Sequence, residues 1–182
     1  MIKAITKSAL LKILLAAAFL TGELGANFCA SAAAKPVTVN IINAEGKTVG
    51  TATLSAAENG VKITLDIKNL QPGVHLMHIH QYAKCEPPDF KSAGAHFDPD
   101  GIGHGEHSAA GVPAGDIPNF VLTVKADGTA HTSVVAPYVT IGADSHSVFS
   151  NGGTALVIHA VAEKVTAAAP PRIACAAITK AE

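Results

Sequence analysis

The chain has 182 residues, with 13 lysines and arginines against 14 acidic side chains and 48% hydrophobic residues. That length supports one domain with a real core, and the near-even charge balance excludes the basic footprint of a nucleic-acid-binding protein.

At the N-terminus Lys3 and Lys7 precede "KILLAAAFLTGELGA", an apolar run interrupted by Lys12 and stopped by Glu23, and small residues then crowd "ANFCASAAAKP". A charged start, a short apolar middle and an A-x-A cleavage zone predict a secretory signal peptide over residues 1–34, leaving one domain over 35–182. The run is too short to span a bilayer, so no stable membrane insertion is expected. Phe28, immediately before Cys29, is too large for a lipid-attachment box. Removing residues 1–34 leaves 10 basic against 13 acidic side chains, a net charge near −3, and two cysteines, Cys85 and Cys175. Two cysteines in a periplasmic or secreted chain most simply form one disulfide.

Downstream, "VTVNIINAEGKTVGTATLSAAENGVKITLDIKNLQPGVHLMHIH" holds short β-branched runs separated by the turn sequences "AEG", "AENG" and "QPG". "VKITLDI" alternates apolar and polar residues, the pattern of an antiparallel strand with one wet face. Residues 81–118 break this rhythm as a long Gly/Pro-rich loop dense in histidine, the kind of segment that usually carries function. "NFVLTVKADGTAHTSVV" reads as a hairpin turning at Asp127-Gly128, and "TALVIHAV" as a core strand. No helical period is evident. Short strands at regular spacing predict an all-β sandwich or barrel.

The chemistry concentrates on imidazole. In a strand, residues two apart share a face, so His78 and His80 project together while His75, Met77 and Ile79 face the other way. His96, His104, His107 and Asp116 follow in the long loop, and His159 lies on a later strand. Such a set suits copper, zinc, iron or nickel, whereas magnesium and calcium prefer oxygen. The residues by themselves thus reach an exported β-barrel with a histidine metal site, and no particular reaction.

Together these residues resemble the copper/zinc superoxide dismutase family. "GVHLMHIH" (73–80) is similar to its G-x-H-x-x-H-x-H strand, and "GAHFDP" (94–99) to its G-x-H-F-N-P segment with Asp98 in place of Asn. "GDIPN" (115–119), "VIHA" (157–160) and "PRIACAAI" (171–178) resemble further family motifs, in order and at near-family spacing. The resemblance implies an eight-stranded antiparallel Greek-key β-barrel. It also implies copper held by His78, His80, His96 and His159, with His96 bridging to zinc and His104 and Asp116 as further zinc ligands. By the same resemblance Arg172 orients the anion beside copper, Cys85 and Cys175 form the structural disulfide, and His75 is a structural histidine.

Three departures bear on zinc. Pro113 occupies the position of the family's third zinc histidine, and proline cannot bind a metal; His107 is the nearest replacement, at the wrong spacing. Glu163 stands where the family has a metal-linking aspartate. Only 12 residues separate His159 from Arg172, roughly half the family's loop. The resemblance therefore runs to copper-only members. It implies disproportionation of superoxide to oxygen and hydrogen peroxide with copper as cofactor, zinc uncertain, in a monomer or homodimer. The alternative is an exported copper-binding or storage protein of the same fold.

Overall fold

The computed structural model describes residues 35–103, 111–161 and 170–180. The expected leader over 1–34, His104, His107 and Glu163 lie outside the described residues. Eight antiparallel strands form one sheet: β1 (Val37–Asn43), β2 (Thr48–Ala57), β3 (Gly60–Ile67), β4 (Gly73–His80), β5 (Leu122–Val124), β6 (Ala130–Ala136), β7 (Thr154–Val161) and β8 (Arg172–Ile178). Their spatial order is β5-β4-β7-β8-β1-β2-β3-β6. The two end strands are consecutive in the chain, so the short turn between them draws the sheet's ends together into a nearly closed barrel. Among the described residues no helix is long and apolar enough to cross a membrane.

The alternation read in "VKITLDI" decides which face of β3 turns inward. Val61, Ile63, Leu65 and Ile67 are fully buried, while Lys62 and Asp66 are exposed. They join Ile41, Leu54, Met77, Ile79, Leu122, Leu156, Ile158 and Ile178 in the main core inside the barrel. A second, smaller cluster of Phe90, Ala93, Ala155, Val157 and Cys175 lies on the opposite face of β7 and β8. Strand β7 is thus covered on both sides, which explains its apolar run from Ala155 to Ile158.

The hairpin expected at Asp127-Gly128 is only half right. The turn forms, with Gly128 N–H donating to the Lys125 carbonyl and Lys125 N–H to the Thr129 carbonyl. Asp127 Oδ1 accepts from the backbone N–H and the hydroxyl of Thr129. Beyond the turn the arms part: β5 pairs with β4, and β6 pairs with β3. Turn chemistry sets the reversal, but each arm meets a better partner across the barrel.

Cys85 and Cys175 form a disulfide across a sequence separation of 90. It fastens the start of the long loop to β8, on the outer face where His78 and His80 project. Such a bond belongs to an oxidising compartment.

Candidate metal centre

Four imidazoles converge on that outer face. His78 and His80 stand on β4, His159 on β7, and His96 comes from the loop that crosses them. One ligand atom from each lies within 4.8 Å of all the others. The rings of His78 and His96 stack with centroids 4.2 Å apart, and His80 and His96 meet edge-on at 4.9 Å. Backbone pairing delivers His96 there. Phe97 N–H donates to the Ile79 carbonyl, Gln81 N–H to Ala95, and Ile79 N–H to Gly115. Gly115 is essential to this crossing, because a Cβ there would lie 2.1 Å from the Ile79 oxygen.

The rings of His80 and His159 are each oriented by the other nitrogen. His80 Nδ1–H donates to the Gly94 carbonyl (3.0 Å) and His159 Nδ1–H to the Pro170 carbonyl (3.1 Å). Their Nε2 atoms are buried and find no hydrogen-bond partner among the described residues. Two adjacent buried acceptors left without donors are costly in a protein interior and are the condition a soft cation relieves. Burial, chiefly, pushes His80 down to about 2 and lowers His159 from its ordinary value, so both rings are neutral and ligand-ready. The donor set therefore fits copper. His75 faces inward, its two ring nitrogens 2.8 Å from the carbonyls of His159 and Gln71, and braces β7 behind His159.

His96 Nδ1–H donates to Asp116 Oδ1 at 2.5 Å. Asp116 follows Gly115, so the same close crossing that seats His96 also seats the carboxylate beside it. Pro113 is buried, and its carbonyl accepts the Asp116 N–H at 3.0 Å. Its side chain supplies no ligand atom. Of the zinc set, His96 and Asp116 lie among the described residues and His104 lies outside them.

Arg172, the first residue of β8, is the sole arginine of the chain. It lies opposite His159 in the β7–β8 ladder, at a register shift between Ile158 and His159. Its guanidinium donates from Nη1 to the Phe90 carbonyl and from Nη2 to the Gly94 carbonyl, both at 2.7 Å. Burial lowers its pKa from the ordinary value and the nearby Asp89 opposes that; arginine remains a cation throughout the working range. The four histidines, Arg172, Leu76, Ala95 and Pro170 line a cleft of about 300 Å³.

A family model described as copper/zinc superoxide dismutase matches residues 48–178. The chain belongs to the copper/zinc superoxide dismutase family. Superoxide dismutase [Cu-Zn] 2 of Aquifex aeolicus is 44% identical over 121 residues, covering 65% of this chain and 70% of that one. A crystal structure of a double mutant of a superoxide-dismutase-like protein from Bacillus subtilis superposes with a TM-score of 0.69 at 32% identity, covering 79% and 97% of the two chains. The Cu/Zn superoxide dismutase from Brucella abortus gives 0.61 at 27% identity, covering 79% and 99%.

Of the family's site residues named from sequence, His78, His80, His96, His159, Asp116 and Arg172 are brought together. Gly94 escaped sequence reasoning, although its carbonyl serves both His80 and Arg172. Its backbone (φ 78°, ψ −156°) is nearly forbidden to other residues, and a Cβ there would meet the Tyr82 ring at 2.8 Å. The glycine opening "GAHFDP" was the signal, visible in the string but without meaning until its carbonyl is placed.

Proposed function

We propose that the chain is a copper-dependent superoxide dismutase that works outside the cytoplasm with copper alone, His78, His80, His96 and His159 holding the metal. The observation that carries this is the pairing of four converging imidazoles, two with orphaned buried Nε2 atoms, with a fixed arginine in the same cleft. When bound, copper supplies the one-electron chemistry by which two superoxide ions and two protons become oxygen and hydrogen peroxide. Arg172 attracts and orients the small anion, its fork held by two carbonyls so that no reorganisation is needed on binding. His96 keeps its Nδ1 proton on Asp116, which fixes the ring and leaves Nε2 directed to the cleft. No step is assigned to zinc. Family membership, the disulfide and the leader-like residues 1–34 support a periplasmic or secreted setting.

The test is metal loading. Protein loaded with copper alone should remove superoxide catalytically, and Arg172→Ala should lower kcat/KM on the order of tenfold or more while copper binding persists. Tight copper binding without turnover would instead mark an exported copper store, and full activity in Arg172→Ala would remove that residue from the mechanism.

A further inference from the structure

Arg172 is held by two carbonyls, and the second of them, Phe90, has an unusual conformation. Phe90 and Gly94 flank a single 3-10 turn over Lys91–Ala93, and both have positive φ, 53° and 78°. Glycine adopts such angles freely; a phenylalanine does not. Phe90 is nevertheless in the left-handed region (ψ 23°) and fully buried, with 0% exposure. Its ring packs with Ala93, Ala155, Val157 and the disulfide partner Cys175, and Cys85 closes against the same cluster. Its carbonyl accepts twice, from Ala93 N–H at 3.1 Å and from Arg172 Nη1 at 2.7 Å. Both oxygen lone pairs are thereby used, and the carbonyl direction is fixed by the left-handed backbone.

We infer that Phe90 is a positioning residue for Arg172: its ring, plugged into the disulfide cluster, holds the left-handed backbone that aims a carbonyl at the guanidinium. The inference rests on the anion-orienting role proposed for Arg172. Gly94 makes the other half of the clamp by having no side chain, and Phe90 makes its half by burying a large one. The disulfide thereby reaches the arginine through packing. A plug with no positioning role would need neither a left-handed φ nor a carbonyl on the arginine.

Because Arg172 is the only arginine, selective ¹⁵N-arginine labelling of the copper(I)-loaded full chain reports on this one side chain. The unsubstituted protein should show separate, slowly averaging Nη signals. Phe90→Ala should merge them and weaken azide binding to the copper(II)-loaded protein about three- to tenfold, as expected for loss of a charge-assisted hydrogen bond. Phe90→Leu, which refills the cluster, should restore most of the affinity. In an Arg172→Ala background the Phe90 substitution should leave azide affinity unchanged, a result that a merely structural role would not give. Unaltered Nη signals and azide affinity in Phe90→Ala would overturn the inference, as would an equal effect with and without Arg172. If Phe90→Ala does not fold, Phe90→Val, which is too short to refill the cluster, carries the decision: its Nη averaging should quicken severalfold, and an unchanged rate overturns the inference. Dismutation by the unsubstituted protein is assayed separately. Its absence beside an intact Phe90–Arg172 coupling would sink the enzymatic reading and leave the clamp standing.

Discussion

At the scale of single residues, the centre depends on atoms that are not ligands. Gly94 directs one carbonyl at both His80 and Arg172, so Gly94→Ala strikes the metal set and the anion site together. The strained φ and the contact with the Tyr82 ring should cost about 1–3 kcal/mol. Denaturant unfolding and a copper titration should both register the change, and an unchanged copper affinity would show that His80 does not need that carbonyl. The buried histidines also set a pH dependence. His80 falls from 6.5 to about 2 on folding, and His159 is lowered too, in both cases first by burial. Between those values the unfolded chain binds protons that the folded chain does not. Stability of the metal-free protein is therefore fully present above about pH 6.5 and is lost as pH falls below it, with a slope of about 1.4 kcal/mol per pH unit from His80 and a further contribution of the same sign from His159. Equilibrium unfolding at pH 7 and pH 5 measures that slope, which His80→Gln should flatten; equal stability at the two pH values would contradict the assignment. His78 and His80 were legible as a pair because their spacing matches a strand's two-residue repeat, whereas His96 and His159 joined them only through the family resemblance. Gly94, Phe90 and Pro170 were not, because a carbonyl's direction depends on backbone angles that a residue's name only hints at.

At the scale of elements, the alternating strands were readable and their partners were not. "VKITLDI" declares its buried face because burial follows side-chain parity. "NFVLTVKADGTAHTSVV" declares a turn, yet pairing depends on which distant edge each arm meets, so β5 joins β4 and β6 joins β3. The long loop was recognisable as functional, but its path depends on Gly115 passing against Ile79 and on the disulfide. Closing a loop of that length should contribute about 4 kcal/mol through the unfolded chain. The Cys85→Ser/Cys175→Ser double variant should lose that much in equilibrium unfolding. It should also lose azide affinity, since Phe90 shares one apolar cluster with both cysteines. Loss of stability with anion affinity intact would separate the disulfide from Arg172.

At the scale of the whole molecule, the barrel is a rigid back wall and the site is a loop laid across its outer face. Four imidazoles and one arginine meet over three neighbouring strands, β4, β7 and β8. At the family's third zinc position stands Pro113, whose buried ring offers no donor and whose carbonyl accepts the Asp116 N–H. Asp116 meets His96 directly, and its carboxylate anchors the ring. The most direct test of this account strips the mature protein of metal, restores copper alone, verifies the absence of zinc by elemental analysis, and measures superoxide removal. Catalytic removal with copper alone, not increased by added zinc, is the expected result. Copper bound tightly without turnover, or turnover that appears only when zinc is bound in equal amount, would contradict it.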